Sequence, residues 1–326
     1  MKNPKLSIII VSWNVREYLL KCVRSIEENE PSCPFEVIIV DNASTDGTVD
    51  AIKKEFSQVV VVENKENRGF AAANNQAVEL SQGEYVFLLN PDTILHPKSL
   101  DILVKFMDSN EDVGACGPKL LNVDGSNQDS VRCFPSFRGA LHRHTAFKLL
   151  GIFKGQYKKW VMYDFKYNYQ KDVDQVMGAA MMIRKSVTEQ VGVMDERFFM
   201  YYEEVDLCYR IKQAGWRIVY IPQAFITHIG GGSSGQIPVS KRIMAMTSLL
   251  KFFRKHRGIW TTHIFSCVFK PAVVLRDLMN IVFGTIKYIF ATATLDKKAR
   301  KKTAEKIKNS VILIWRYCSR FRLLKL

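Results

Sequence analysis

The sequence has no cysteine pattern that would define a zinc knuckle or a disulfide framework. Its seven cysteines are scattered over 326 residues, are odd in number and include no Cys-x-x-Cys pair. Such spacing predicts reduced thiols in a cytoplasmic protein. The chain also lacks any uncharged run approaching the roughly 20 apolar residues that a membrane-spanning helix requires. A strand-like run begins as early as Leu6, so we expect no signal peptide.

Glycine-rich phosphate loops are missing as well. The first strand-like run leads into Ser12–Trp13–Asn14–Val15, which has no glycine for the tight turn of a dinucleotide-binding fold. No Walker lysine loop occurs elsewhere. A Rossmann dehydrogenase is therefore disfavoured. If a diphosphate binds to this chain, a divalent metal held by carboxylate is the usual substitute for the missing loop.

Acidic residues are scarce in the last quarter of the chain. The whole sequence carries 47 Lys and Arg against 32 Asp and Glu, whereas residues 241–326 carry 20 against 3. The preceding three-quarters are nearly neutral. This asymmetry disfavours a nucleic-acid-binding protein with a uniformly cationic surface, and no nucleic-acid recognition motif accompanies the basic segment. It favours a near-neutral globular domain followed by a basic segment that binds an anionic surface.

Short apolar, β-branched runs alternate with helical patterns in the first third of the chain. The runs lie at residues 6–13, 35–40, 59–63 and 85–89, and the helical patterns lie at 17–28, 48–56, 70–80 and 99–107. This alternation predicts right-handed βαβ units in a doubly wound, mostly parallel α/β sheet. Because ligands of such sheets bind beyond the carboxyl ends of the strands, we expect the functional residues among the polar residues that follow the runs.

Acidic residues follow two of these runs. Asp41 ends the second run, where its carboxylate is placed to accept the ring N–H of uracil or thymine. The alternative is that Asp41 and Asp46 form turns and cap the next helix, an interpretation that we favour for Asp46. Asp92 follows the fourth run in Asn90–Pro91–Asp92–Thr93, where it is placed to hold Mg²⁺ or Mn²⁺. An Asn-Pro turn with Asp92 as a helix cap explains that tetrapeptide equally well.

A third acidic group lies behind an aromatic run, in Glu203–Glu204–Val205–Asp206. Three carboxylates within four residues repel one another and can raise a carboxyl pKa toward neutrality, as a general base requires. On their own they also fit a helix N-terminus, where acidic residues interact favourably with the macrodipole.

Seven motifs, in a fixed order, carry a family resemblance. They are SIIIVSWN, VDNASTDGT, NRGFAAANN, LLNPDT, GAAMMIR, FFMYYEEVDLCYRIKQAGWRI and THIGGGS. The series covers about residues 6–258 and resembles glycosyltransferase family 2, in particular its bacterial rhamnosyltransferase-like branch. Each motif alone is weak, whereas the ordered set is specific for the family and only loosely specific for the sugar.

The resemblance implies a GT-A fold and an inverting transfer from a nucleotide-diphosphate sugar. In that pattern Asp41 contacts the base, while Asn67 and Gly69 line the donor site. Asp92 becomes the metal-binding member of an acidic triplet whose first position is Asn90 here, where many relatives have Asp. His228 matches the family's histidine that can join the metal, although a lone histidine is often structural.

The same resemblance assigns catalysis to the paired-acid motif. Glu204 matches the catalytic base, where many relatives have Asp. Glu203 and Asp206 are expected to position Glu204 or the acceptor, and Arg210 is expected to pair with one of them. The resemblance thus implies an inverting glycosyltransferase with Mg²⁺ or Mn²⁺ as cofactor. The donor would be a dTDP- or UDP-sugar, with rhamnose as the first candidate sugar, and the acceptor a hydroxyl of a cell-surface polysaccharide or a lipid-linked glycan.

Two other functions stay open on the sequence alone. A nucleotide-sugar-binding protein without turnover would explain the neutral Asn90 and the doubled glutamate. A sugar nucleotidyltransferase also uses an α/β sheet, but it would need a basic, glycine-rich loop after the first strand, which this sequence lacks.

We expect two regions along the chain. Residues 1–258 would form the GT-A domain, with a nucleotide-binding half at about 1–118 and an acceptor or catalytic half at 119–258, in which 119–172 would be an irregular insert over the site. Residues 259–326 would form a basic helical extension lying in a membrane interface, or else packing on the body or a second copy. The expected location is cytoplasmic, peripheral on the inner face of the cytoplasmic membrane.

Overall fold

The computed structural model describes residues 3–232, 238–294 and 296–320. The strands are β1 (Leu6–Ser12), β2 (Phe35–Asp41), β3 (Val60–Glu63), β4 (Tyr85–Leu89), β5 (Thr93–Leu95), β6 (Val113–Leu121), β7 (Val131–Arg132), β8 (Lys171–Asp172), β9 (Gln175–Val176), β10 (Ala180–Arg184) and β11 (Arg217–His228). The helices are α1 (Arg16–Glu28), α2 (Thr48–Glu55), α3 (Phe70–Leu80), α4 (Ser99–Asp108), α5 (Phe137–His144), α6 (Lys154–Trp160), α7 (Lys185–Val191), α8 (Glu203–Gln213), α9 (Pro238–Arg257), α10 (Ile259–Ala293) and α11 (Lys297–Arg320).

The predicted alternation of strands and helices is confirmed from β1 to α4. Strand β1 is buried along its whole length because its apolar side chains are covered on both faces of the sheet. Ile8 and Ile10 belong to the hydrophobic cluster on one face, and Ile9 and Val11 belong to the cluster on the other. A strand of this kind requires helices on both sides, which is the doubly wound arrangement.

Nine strands of the described residues form the main sheet. Its strand order is β3-β2-β1-β4-β10-β6-β11-β5, with β8 added beside β11. Strands β3, β2, β1 and β4 are parallel, and β11 is parallel to β6. Strand β10 lies antiparallel between β4 and β6, so those two strands run in the same direction. The predicted α/β fold is thus confirmed, with a parallel half and a mixed half.

Strand β11 extends beyond its uninterrupted apolar run. The apolar pattern ends at Ile221, whereas the strand continues through an irregularity between Ile221 and Phe225 and ends at His228. Its last residues pair antiparallel with β5, so that His228 lies opposite Thr93. The extension brings the histidine beside the loop that follows β4.

The chain forms two compact units, which divide it differently from the predicted boundary at Gly258. One unit contains residues 1–134 and 161–237; the other contains 135–160 and 238–326. Residues 135–160 are part of the irregular insert that we expected at 119–172, and they contain α5 and α6 of the second unit. An aromatic cluster explains this grouping, because Phe137 packs against Phe253 of α9 and Phe265 of α10, with ring centroids 4.4 and 4.7 Å apart.

The second unit is helical, as predicted for the C-terminal segment. Its two longest helices are α10, with 35 residues, and α11, with 24. Within the described parts of the chain, none of the helices combines the length and the hydropathy needed to cross a membrane.

Candidate active site

Asp41 closes β2 and is buried. Its Oδ2 accepts a hydrogen bond from the amide of Ser44 (2.8 Å), whereas its Oδ1 is buried without a partner among the described residues. Burying a carboxylate oxygen without a donor is unfavourable, so this atom is suited to accept an N–H from a ligand. Asp46 Oδ1 accepts from the amide of Thr48, the first residue of α2 (3.2 Å), and so forms a turn before the helix. The cap expected of Asp46 is not found, because the N-cap position is Gly47 and it makes no side-chain hydrogen bond.

The turn before α3 joins Asn67 and Gly69 to two other segments. Asn67 Oδ1 accepts a hydrogen bond from the Gly69 amide (3.0 Å), and Asn42 Nδ2 donates to the Gly69 carbonyl (3.1 Å). Gly69 has a φ of +86°, and a Cβ there would lie 2.6 Å from the Phe199 carbonyl oxygen, which accepts from the Phe70 amide (2.8 Å). Only glycine fits this close approach, which fixes the turn against the segment that leads into α8.

The ends of β4 and β11 meet in a cluster of Asn90, Asp92 and His228. His228 Nε2 lies 3.4 Å from Asp92 Oδ1 and 3.4 Å from Asn90 Nδ2. Asp92 Oδ2 accepts a hydrogen bond from the Gly232 amide (3.1 Å). Burial alone would raise the pKa of Asp92, but the hydrogen bond and charge of His228, together with the Gly232 amide, outweigh it and lower that pKa. Asp92 is therefore ionised at neutral pH.

Gln128 fixes the tautomer of His228. The Gln128 Nε2 group donates to the His228 backbone carbonyl (3.1 Å) and to Asn122 Oδ1 (3.0 Å). Since a carbonyl oxygen only accepts, the amide nitrogen must face it, and Gln128 Oε1 must then face His228 Nδ1 at 2.6 Å. When the ring is protonated, Nε2 carries the proton that faces Asp92 Oδ1. In the neutral imidazole the remaining proton is on Nδ1, and Nε2 then presents a lone pair on that side.

The paired donors of Asp92 and His228 fit a divalent metal. A carboxylate oxygen and an imidazole lone pair that face each other are both metal ligands. Among the residues that the structure describes, no group of three or more His, Cys, Asp and Glu is placed to hold a metal. The two side chains therefore suit an ion such as Mg²⁺, which keeps several positions for water and for substrate oxygens.

The two glutamates at the start of α8 are the second chemical feature of the site. Glu203 is buried and Glu204 is half-buried. The Oε2 atom of each side chain is buried without a hydrogen-bond partner in the described residues. Burial, and then the charge of Glu204, raise the pKa of Glu203 well above its ordinary value. Burial also raises the pKa of Glu204, which the charge of Arg132 partly opposes. Glu203 thus holds its proton more tightly, and Glu204 is the one to ionise.

Gly178 links Glu204 to the cluster of Asn90, Asp92 and His228. A Cβ on Gly178 would lie 3.2 Å from the Cβ of Glu204, so the glycine leaves room for that side chain. The next residue, Ala179, accepts a hydrogen bond from the Asn90 amide through its carbonyl (2.9 Å). The base candidate and the metal candidates are therefore joined through two consecutive residues.

Asp206 has a different environment. Its buried carboxylate accepts a hydrogen bond from Arg210 Nε (2.8 Å). Arg210 also donates to the backbone carbonyls of residues 191–193. The expected ion pair of Arg210 is thus found with Asp206, and it fastens α8 to the end of α7.

Asp41 and the loop that carries Asn90 and Asp92 lie at the same end of the sheet. Asp41 ends β2 and Leu89 ends β4, and these two strands lie on either side of β1, where Asp41 pairs with Ser12 and Leu89 pairs with Ile10. Two strand spacings separate such strands by about 10 Å. Asn42 connects this end of β2 to Gly69. All nine candidate residues belong to the same compact unit.

Sequence reasoning missed Gln128 and Arg132. Both follow β6, which runs parallel to β4 and therefore ends at the same edge of the sheet. Ligands of such sheets bind beyond the carboxyl ends of the strands. The sequence pattern did not identify β6 as a strand of the sheet, so this rule did not point to the residues that follow it.

Comparisons with known proteins bear on the family and the fold of this chain. Residues 7–191 match the family described as Glycosyl transferase family 2. The chain is 32% identical over 248 residues to the N-acetylglucosaminyl-diphospho-decaprenol L-rhamnosyltransferase of Mycobacterium tuberculosis (strain ATCC 25618 / H37Rv), covering 70% of this chain and 77% of the relative. It is 27% identical over 229 residues to the rhamnosyltransferase WbbL of Escherichia coli (strain K12), covering 68% and 82%.

Two solved structures share the fold. The mannosyltransferase PcManGT from Pyrobaculum calidifontis, in complex with GDP-Man and Mn²⁺, superposes with a TM-score of 0.55 at 16% identity, covering 97% of this chain and 88% of that one. GalNAc-T7 with UDP, GalNAc and Mn²⁺ superposes with a TM-score of 0.52 at 15% identity, covering 70% of this chain and 44% of that one. At these identities the likeness concerns the fold alone. The family match, the rhamnosyltransferase relatives and the GT-A architecture together show that this chain belongs to glycosyltransferase family 2.

Proposed function

We propose that this glycosyltransferase moves a sugar, with inversion, from a nucleotide-diphosphate donor to an acceptor hydroxyl, with Glu204 as catalytic base. The observation that carries the proposal is the Oε2 of Glu204, which is buried, unpaired among the described residues and adjacent to Gly178. An acceptor hydroxyl is a poor nucleophile near neutral pH, so it needs such a group to remove its proton.

Glu203 and Arg132 prepare Glu204 for this role. Glu203 keeps its proton and so adds no second charge, while the cation of Arg132 favours the ionised form of Glu204. As the acceptor oxygen forms its bond to the anomeric carbon, Glu204 takes the hydroxyl proton. The bond between that carbon and the diphosphate breaks, and its electron pair leaves with the diphosphate. Attack from the opposite face inverts the anomeric centre.

Donor recognition is assigned to the other edge residues. Asp41 Oδ1 would accept the ring N–H of uracil or thymine, and Asn67 and Gly69 would line the donor site. Asp92 and His228 would hold Mg²⁺ or Mn²⁺, with Asn90 donating to His228 or to the donor. A divalent metal, when bound, offsets the charge that develops on the departing diphosphate. Asp206 acts through Arg210 by fixing the helix that carries Glu204.

The substrate classes follow from the relatives. Two of them are rhamnosyltransferases, and the mycobacterial one acts, by its name, on a diphospho-decaprenol-linked sugar. We infer a dTDP- or UDP-sugar donor, with rhamnose as the first sugar to test, and a lipid-linked or polysaccharide acceptor. A lipid-linked acceptor would place the enzyme at the inner face of the cytoplasmic membrane.

The test is the variant Glu204→Gln, assayed for transfer with a panel of nucleotide sugars. Turnover should fall by at least about 10²-fold, the usual contribution of a general base, because the amide cannot take the proton. Donor binding, measured by thermal shift with each nucleotide sugar and Mn²⁺, should persist. The exposed residue Glu111 supplies a matched control, Glu111→Gln, which should keep full activity.

Full turnover in Glu204→Gln would disprove the assignment of the base. Wild-type protein that binds a nucleotide sugar but transfers it to no acceptor, and does not hydrolyse it, would favour the alternative of a binding protein without turnover. Release of pyrophosphate from a nucleoside triphosphate and a sugar phosphate would instead identify a nucleotidyltransferase.

A further inference from the structure

Helix α10 exposes large apolar side chains along most of its length, and six of them share one narrow face. We define the apolar stripe by Trp260, Ile264, Leu275, Leu278, Val282 and Ile289, which are between 48% and 81% exposed. At 100° per residue these six positions fall within an arc of about 60°, and they extend along about 44 Å of the helix. None of the charged residues of α10, a helix that the structure describes throughout, falls on this arc.

The stripe is not the face by which α10 is held in its unit. The buried residues of the helix, among them Phe265, Phe269 and Val273, lie on the opposite side. Phe265 stacks on Phe269 with ring centroids 4.9 Å apart. An amphipathic surface helix normally turns a polar face to water. Here the exposed face of α10 is as apolar as its buried face, and exposure of such a face to water is unfavourable.

A strongly cationic helix lies beside α10. The two helices approach closely at Gly284, where a Cβ would lie 2.8 Å from Ile307 Cγ1 of α11. Helix α11 carries exposed cations at Lys297, Lys298, Arg300, Lys301, Lys302, Lys306 and Lys308. A long apolar face and a dense set of cations therefore occur on two packed helices.

Charge decides between the two occupants that such a face suggests. A second copy of the chain would bury the stripe, but it would also bring together two segments that each carry 20 Lys and Arg against 3 Asp and Glu. An anionic lipid surface buries the same side chains and attracts the cations. Trp260 and Trp315, which are 81% and 69% exposed, are of the type that favours the headgroup level of a bilayer.

We infer that the apolar stripe of α10, together with the cations of α11, is a docking surface that lies in the interface of an anionic lipid bilayer. The side chains of the stripe enter the acyl boundary. Helix α11 contacts α10 at Gly284, on the side opposite the stripe, so its lysines lie farther from the acyl chains, at the level of the headgroup phosphates. This surface contains no residue of the proposed catalytic site. Through it the enzyme would stay at the membrane, where a lipid-linked acceptor is found.

The experiment is co-sedimentation of the full-length protein with vesicles. Wild-type protein should bind vesicles of phosphatidylcholine with phosphatidylglycerol more tightly than vesicles of phosphatidylcholine alone, and salt should weaken the difference. The double variant Ile264→Ser/Ile289→Ser should bind at least about 10-fold more weakly, since two apolar side chains no longer enter the lipid. The variant Val123→Ser removes an apolar side chain that is 73% exposed in the other unit, and it should bind like wild type.

Quenching of tryptophan fluorescence gives a second measurement. Vesicles with brominated acyl chains should quench the wild-type protein, and much of that quenching should disappear in Trp260→Phe. Both substitutions of the double variant are at exposed positions, and thermal unfolding in the absence of vesicles should confirm that the fold is kept.

Equal binding of the double variant and the wild type would overturn the inference. So would a wild-type dimer, seen by analytical ultracentrifugation without lipid, that Ile264→Ser/Ile289→Ser converts to a monomer. Neither measurement involves the sugar donor or turnover. A negative result would therefore disprove the membrane surface without bearing on Glu204 as the catalytic base.

Discussion

The imidazole of His228 shows how one neighbouring side chain can determine what a residue is able to bind. In the neutral ring Gln128 holds the proton of His228 on Nδ1, which leaves the Nε2 lone pair toward Asp92. Partners of this kind orient metal-binding histidines and strengthen them as ligands. Gln128 therefore acts through His228, without itself facing the metal position.

Replacement of Gln128 by leucine should weaken metal binding by about 10- to 100-fold, because the ring loses the acceptor that fixes its tautomer and orientation. The measurement is Mn²⁺ binding to the full chain in the presence of a nucleoside diphosphate, followed by electron paramagnetic resonance. Asp92→Ala, which removes a proposed ligand, sets the scale of the effect. The exposed Gln58 supplies a control, Gln58→Leu, with unchanged affinity.

Unchanged Mn²⁺ affinity in Gln128→Leu would show that His228 needs no fixed tautomer, or that it is not a ligand. A lower melting temperature alone would not separate the two roles of Gln128, because its amide also holds the His228 backbone. The binding measurement is therefore the decisive one.

The N-terminus of α8 combines a special backbone with buried acid groups. Tyr201 and Tyr202, the two residues before the helix, have φ values of +70° and +71°. Non-glycine residues adopt this conformation at a free-energy cost of order 1–3 kcal/mol each, which the surrounding structure must offset. The turn directs Glu203 inward, where burial raises its pKa.

Glu203 should make the stability of this protein depend on pH. Its pKa is raised in the folded state, so its contribution is fully present below the ordinary value of about 4.5 and is lost as the pH rises through the raised pKa. Glu203→Gln should match wild type near pH 4 and unfold at a higher temperature above neutral pH. Thermal unfolding across this range is the measurement, with the exposed Glu66→Gln as control.

A gain in melting temperature that is the same at both ends of the pH range would contradict this explanation. It would mean that the amide acts through shape or hydrogen bonding, since protonated glutamate and glutamine have nearly the same form.

The division of the molecule into two compact units has consequences for its unfolding. Asp277 of α10 is completely buried and accepts two hydrogen bonds from Arg242 of α9, each 2.9 Å long. Arg276 lies 3.5 Å from the same carboxylate. These charges are internal to the second unit, so their loss should act on that unit first.

Asp277→Asn should destabilise the second unit by about 3–5 kcal/mol, because it leaves a partly buried guanidinium without its carboxylate. Hydrogen exchange should show faster exchange in α9 and α10, while the strands of the first unit keep their protection. The exposed Glu305→Gln, also on a helix of the second unit, should change the free energy of unfolding by less than about 0.5 kcal/mol. Equal loss of protection in both units would indicate that they unfold together.

Much of the architecture was predictable because it depends on local pattern. A run such as Ile8–Ile10 is apolar at every position, so it must be covered on both faces, and this requirement alone leads to alternating strands and helices. The domain boundary at Gly258 was harder to predict, and the two compact units divide the chain elsewhere. Residues 135–160 join the C-terminal helices through aromatic contacts such as Phe137 with Phe265, between residues more than a hundred positions apart.

The sequence by itself determined the family, the order of the strands and helices of the parallel half and the acidic residues that follow its strands, since each rests on residues close together in the chain. Only the tertiary structure decided that Gln128 faces His228, that Gly178 makes room for Glu204, and that Asp206 binds Arg210. It also decided which side of α10 is left exposed. Such facts depend on side-chain directions and on contacts between distant segments, which arise when the chain packs.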